Sequence, residues 1–182
     1  MIIIFIGPPF AGKDTQAKLL SKEINLPVYS MGALIREAYE KGDPKAIEGF
    51  ENYSMKGLHL PISLKFHLVK DKIDSLKEGL IIDNFPATRE DLDAFNEYLS
   101  VKGIEVKKAF YINISNEEMI GRITHRGRGD DDPDIVMKRR ENQDKDREAV
   151  INFYKNKGLL VEIDGARPIE DVHKEIMEEM NK

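Results

Sequence analysis

Between the apolar run Ile2–Ile6 and an amphipathic stretch carrying Ala17, Leu19, Leu20 and Ile24 stands Gly7-Pro8-Pro9-Phe10-Ala11-Gly12-Lys13-Asp14-Thr15. Glycine tolerates backbone angles that other residues resist, so Gly7 and Gly12 let the loop turn its N–H groups inward. Such groups, reinforced by the positive end of the following helix, cradle a phosphate. Lys13 adds a point charge for β- and γ-phosphates. A plain glycine-containing strand–helix turn is the bland alternative; two glycines, a lysine and a threonine all in place favour nucleotide binding. The general pattern G-x-x-x-x-G-K-[ST] wants a hydroxyl directly after the lysine, and here Asp14 intervenes before Thr15. Asp14 has two readings: it helps hold magnesium, or it caps its own helix and faces away from the triphosphate.

A second concentration of chemistry lies between Gly121 and Arg140, where six bases (Arg122, Arg126, Arg128, Lys138, Arg139, Arg140) meet four aspartates (130, 131, 132, 134). Phosphoryl transfer needs positioning and charge neutralisation more than covalent chemistry, because two phosphate chains must meet in line. Arginine suits that role, since its planar fork stays charged and binds two oxygens at once. The bland reading is a solvated charged helix face, and Lys138 and Arg140 are read as surface residues. Asp83 closes another apolar run, Leu80–Asp83, where a carboxylate holds magnesium through water or else caps the next turn. The four histidines (59, 67, 125, 173) are dispersed and read as ordinary side chains, while Phe110, Phe153 and Tyr154 read as core.

The elements that must position these groups follow from patterning. Ile2–Ile6 is continuously apolar, as in a central parallel strand covered on both faces; Pro27–Ser30, Leu80–Asp83, Lys108–Ile114 and Leu159–Asp164 are weaker strands of the same kind. Ser115-Asn116-Glu117-Glu118 is a capping box, and Asp43-Pro44 and Asp132-Pro133 each set an N-cap before proline. Gly103 and Gly158 stand where helices end, and Ile169, Val172, Ile176 and Met180 share one helical face. Alternating strands and helices predict a parallel α/β sheet with right-handed crossovers, which binds ligands at the carboxyl ends of its strands.

With 182 residues, the chain is expected to form one domain. It has no cysteine, which excludes disulfide scaffolds, thiolate–zinc sites and thiol nucleophiles. A net charge of −5 argues against broad nucleic-acid binding. The opening apolar run is too short for a membrane span and lacks a cationic leader, so a cytoplasmic protein without membrane attachment is expected.

In order along the chain, these features resemble the adenylate kinases and their nucleoside-monophosphate kinase relatives. The loop running into Thr15-Gln16 is similar to the family's G-x-P-G-x-G-K-G-T-Q. Ser30-Met31-Gly32-Ala33-Leu34-Ile35-Arg36 resembles the start of its monophosphate segment, and Gly57-Leu58-His59-Leu60-Pro61 the end. Asp83-Asn84-Phe85-Pro86-Ala87-Thr88 is similar to D-G-F-P-R-T; Arg122, Arg126, Gly127-Arg128-Gly129-Asp130-Asp131 and Arg139 resemble the lid; Asp164-Gly165-Ala166-Arg167-Pro168 resembles the turn beside the ATP base.

The resemblance implies a P-loop kinase fold with a five-stranded parallel sheet. It divides the chain into a core (1–29, 61–121, 141–182), a monophosphate-binding segment (30–60) and a short lid (122–140), which close over substrates. It implies ATP and AMP as partners, Mg2+ as cofactor, a monomer, and the reaction ATP + AMP ⇌ 2 ADP. Lys13, Arg122, Arg128 and Arg139 become the catalytic cations. Gly7 to Thr15, Arg122, Arg126 and Arg167 would hold ATP, with Asp83 holding Mg2+ through water. Ser30, Met31, Arg36, Leu58, His59, Leu60, Asn84, Phe85, Ala87, Asp91, Arg128 and Arg139 would hold the monophosphate. The acceptor side departs from the family pattern. Met31 stands for Thr, Ala33 for Asp, Asn84 for Gly, Ala87 for the phosphate-gripping Arg and Asp91 for the adenine-reading Gln. Phe10 and Asp14 replace loop glycines. Arg89, two residues past Ala87, is a candidate substitute. These departures keep two other readings open: a kinase for CMP, UMP, GMP or a deoxynucleotide, and a non-catalytic nucleotide-binding regulator.

Overall fold

The computed structural model describes residues 1–126 and 132–182; the side chains at 124–126 and 139 lie outside that description. Five strands, β1 (Ile2–Ile6), β2 (Val28–Ser30), β3 (Leu80–Asp83), β4 (Val106–Asn113) and β5 (Leu160–Asp164), form one sheet in the order β2-β3-β1-β4-β5, all parallel. Helices α1 (Lys13–Ile24), α2 (Met31–Glu40), α3 (Pro44–Asn52), α4 (Ile62–Asp74), α5 (Arg89–Lys102), α6 (Asn116–Arg126), α7 (Pro133–Asn156) and α8 (Ile169–Met180) connect and cover it.

Strand periodicity sorts the core into two layers. Ile2, Ile4 and Ile6 pack with Leu80, Ile82 and Phe95 on one face, and Ile3 and Phe5 with Ile81, Phe110 and Ile112 on the other. Helices α2 to α5 and the second half of α7 cover the first face; α1, α6 and α8 cover the second. Being buried on both sides explains why β1 is apolar at every position. Phe5 and Phe110 stack with ring centroids 5.3 Å apart, both fully buried, and truncating either to alanine should cost about 3–5 kcal/mol.

Helix ends obey local chemistry. Asp43 accepts from the N–H groups of Lys45 and Ala46, Asp132 from those of Asp134 and Ile135, and each precedes a proline. Gly103 and Gly158 take positive φ (63° and 67°) after α5 and α7. Three expectations shift. The Ser115 hydroxyl caps Glu118, but the Glu118 carboxylate turns to Arg122 Nε at 2.8 Å instead of closing the box. On α8, Val172, Ile176 and Met180 are buried while Ile169, in the first turn, is 51% exposed. Arg140, read as a surface residue, buries most of its side chain and donates to the Ile114 carbonyl at 2.9 Å, fastening α7 to the end of β4.

Parallel pairing aligns the strands' carboxyl ends. Phe5 is opposite Asp83, Ser30 opposite Asp83, and Asn113 opposite Asp164. All the loops leaving those ends open on one edge of the sheet, above β1.

Candidate functional site

The loop leaving β1 is held close to the sheet. At Gly7, φ is 152° and a Cβ would lie 2.0 Å from the Ile112 carbonyl oxygen, so no side chain fits. Gly12, with φ 91°, turns the chain into α1. Phe10 and Asn84 are in the left-handed region at φ 62° and 63°. Asparagine enters that region more readily than most residues, which lets Asn84 keep the backbone turn where the family pattern has glycine. Phe10 does not have that ease and carries strain of about 1–2 kcal/mol.

Lys13 is buried and its Nζ donates to the Pro8 carbonyl at 2.7 Å, curling the loop around an open cavity of about 810 Å3. Its walls include Gly7, Pro9 to Lys18 apart from Ala17, Ser30, Arg36, Asp83, Asn84, Arg122 and the turn Gly165 to Ile169. That volume suits a nucleotide-sized ligand. Asp14 Oδ2 accepts from Lys18 Nζ one turn along α1 at 2.7 Å, and both residues line the cavity. Arg122 donates to Glu118, to the Phe10 carbonyl at 3.1 Å and to the Gly165 carbonyl at 2.8 Å, tying the loop to the β5–α8 turn. Arg167 bonds the Asp164 carbonyl and Glu175 at the cavity's rim. Exposed Ile169 lines the same end of the cavity.

Asp83 lies at the cavity floor, almost fully buried. Burial pushes its carboxyl above the usual carboxylate range, against the opposing pull of the Lys13 ammonium and a Ser30 hydrogen bond. Its Oδ1 is buried without a hydrogen-bond partner. An orphaned carboxylate oxygen beside a phosphate-binding loop fits an oxygen-ligated divalent cation, held directly or through water.

A second, smaller cavity of about 120 Å3 lies under α2, α3 and the residues before α4. Met31, Leu58, His59, Leu60, Asn84 and Ala87, expected at the monophosphate, line it together with Phe50, Lys65 and Gln143. Gly32, Arg36, Asn84 and Gln143 line both cavities, so the two meet there. Phe85 instead goes to the core, fully buried against Phe66 and Phe95. His59 sits in the smaller cavity with Nε2 3.3 Å from Asp146, lacking hydrogen-bond geometry. Burial first, then the Lys65 charge, holds it below the usual imidazole range. His67, by contrast, pairs with Asp43 at 2.9 Å.

Two acceptor-side expectations are overturned. Asp91 does not face a ligand: both carboxylate oxygens accept from Lys65 Nζ (2.8 and 2.7 Å), and Oδ2 also takes the N–H groups of Ala87 and Thr88. The Thr88–Asp91 capping box at the start of α5 draws the carboxylate inward, away from the cavity. Arg89 does not replace the arginine absent at 87, because its exposed side chain pairs with Asp93 one turn along at 2.9 Å. Arg128, Asp130 and Asp131, and the side chains of Arg126 and Arg139, lie outside the described residues.

Sequence reasoning missed Lys65 and Gln143. Lys65 was detectable: it stands at i, i+4, i+8 spacing with buried Val69 and Ile73, a charge on an apolar face. Gln143, one turn beyond Arg139 on α7, carried no signal.

The family model described as "Adenylate kinase" matches residues 5–159. The chain belongs to the adenylate kinase family. It is 31% identical to an adenylate kinase of Clostridium beijerinckii (98% of this chain, 97% of the relative), and 30% identical to those of Archaeoglobus fulgidus (97% and 96%) and Leptospira biflexa (96% and 97%). The first of these alignments spans 211 positions and the Leptospira one 181. The clostridial adenylate kinase therefore carries segments that this 182-residue family member lacks. Among the described residues, no helix of this adenylate kinase family member is long and apolar enough to cross a membrane.

Proposed function

We propose that the protein transfers the γ-phosphoryl group of ATP to AMP, giving two ADP, with ATP in the larger cavity and AMP in the smaller. The observation that carries this reading is the junction: a phosphate loop opens onto one cavity, and Arg36, Asn84 and Gln143 line both. A donor γ-phosphate reaching out from the loop and an acceptor phosphate beside Arg36 would meet there.

The chain's own groups supply the rest. The loop N–H groups and Lys13 bind the β- and γ-phosphates and draw off charge as the bridging oxygen leaves with ADP. Arg36 orients the acceptor phosphate, whose oxygen forms the new bond to the γ-phosphorus. Arg122 keeps the loop against the base-side turn and presents its guanidinium at the rim. Arg126, Arg128 and Arg139 are assigned by motif to the lid, which with residues 30–60 closes over both substrates and excludes water. Mg2+, held through Asp83, would supply positive charge that offsets the phosphates' negative charge. The protein is read as a monomer of the cytoplasm.

The test is a coupled assay of the purified chain with Mg-ATP against AMP, GMP, CMP and UMP. AMP as the preferred acceptor is expected. No transfer to AMP, in protein shown to bind ATP, overturns the proposal.

A further inference from the structure

A buried ion pair forms part of the smaller cavity's wall. Lys65 exposes 5% of its side chain and Asp91 1%, and they meet at 2.7 Å. Such a pair is weak evidence for stability, because desolvating two charges offsets their attraction. Both of its charges also stand where apolar or neutral residues would pack without that cost.

The bonding is lopsided. Asp91 Oδ2 receives Lys65 and the N–H groups of Ala87 and Thr88, and Oδ1 receives Lys65 again. The ammonium has three protons, and its hydrogen bonds among the described residues all go to Asp91, so a donor is left over. Lys65 lines the cavity, whose other walls are largely apolar, from Met31, Phe50, Leu58 and Leu60. Apolar walls with a buried, spare donor among a few polar groups suit a flat heterocycle carrying an acceptor atom. Arg36, the cavity's other cation, stands at the junction with the larger cavity.

We infer that Lys65, anchored by Asp91, reads the nucleobase of the phosphoryl acceptor by donating to a ring nitrogen of adenine. This rests on assigning the smaller cavity to the acceptor. The recognition expected of position 91 has moved to the partner that position 91 holds.

The test compares AMP with 1-deaza-, 3-deaza- and 7-deaza-AMP, by calorimetric binding and by steady-state transfer from Mg-ATP. In the unaltered protein, one analogue should lose roughly 10- to 100-fold in Kd and KM, the cost of one charge-assisted bond, with kcat at saturation and the ATP KM within about twofold. In the double variant Lys65→Met/Asp91→Asn, AMP should bind as weakly as that analogue and the analogue should lose nothing more. The amide introduced by Asp91→Asn retains an oxygen for the Ala87 and Thr88 N–H groups. If the double variant fails to fold, Lys65→Gln, a neutral donor, should shrink the analogue's penalty. Equal binding of all analogues, or a penalty unchanged in the variants, overturns the inference. AMP binding with the analogue pattern but without phosphoryl transfer would overturn the proposed function and leave Lys65 standing. Transfer to AMP without the pattern would do the reverse, and absence of AMP binding overturns both.

Discussion

Replacing Asp83 by asparagine should stabilise the ligand-free protein at neutral and alkaline pH while disabling it. The buried carboxylate has an oxygen without a partner, and burial holds its pKa above the usual range. In the unfolded chain the same group titrates at about 3.9. A raised folded pKa means that Asp83 favours the fold when protonated. That contribution is complete below the unfolded pKa and is lost as pH rises through the folded value. Above it, the native state holds an under-satisfied charge, worth about 1–3 kcal/mol by the usual cost of such a group, with Lys13 and Ser30 working against it. Asparagine removes the charge and keeps an oxygen for the Ser30 hydroxyl. For a chain of this length, 1–3 kcal/mol corresponds to a Tm rise of roughly 2–12 °C.

Thermal unfolding from about pH 3.5, below the unfolded pKa, to about pH 8.5, with and without Mg-ATP, reads this directly. Asp83→Asn should match the unaltered protein at the acid end, pull ahead as pH rises, and lose the lead when Mg-ATP is added, because only the carboxylate is compensated by the bound cation. A variant less stable than the parent by the same margin at every pH would refute the burial argument. Equal protection of both proteins by Mg-ATP would refute the assignment of Asp83 to the metal.

Lys13→Ala should leave the fold intact and lower kcat at least about a hundredfold, as loss of a preorganised cation at a transferring phosphoryl does, in the coupled ADP assay. Gly7→Ala should cost about 3 kcal/mol or more, since its Cβ meets the Ile112 carbonyl at 2.0 Å, with Tm falling by roughly 6–12 °C by calorimetry. Arg89→Ala should leave the KM for AMP within about twofold, because its side chain is engaged with Asp93 on the surface. Gln143→Ala should raise the KM for AMP roughly 2- to 10-fold with the Tm unchanged, if its amide, half-buried at the junction and without a partner among the described residues, meets a substrate phosphate.

What could be read before folding, and what could not, divides along the range of the interactions. The loop, the Asp43 and Asp132 caps and strand β1 depend on neighbours a few residues apart, so residue type and spacing identify them. Asn84 is intermediate: as a letter it departs from the family motif, but φ 63° shows that the requirement was a backbone angle, which asparagine meets. Asp91 illustrates the other extreme. Motif position placed it against a base, while its actual surroundings come from Lys65, 26 residues earlier and on another helix, together with a capping box at Thr88. A carboxylate already filled by an ammonium and two backbone donors has little left for a ligand. Substituting one residue of a binding motif thus changes which neighbour can be tolerated, and the neighbour can take over the contact. Arg140 is the same lesson in reverse: a cation grouped by composition with a solvated charged stretch spends its charge on the Ile114 carbonyl, at a distance in sequence that no local pattern reports. Side-chain type therefore identifies a candidate site here, and long-range partners decide which of its members remain free to act.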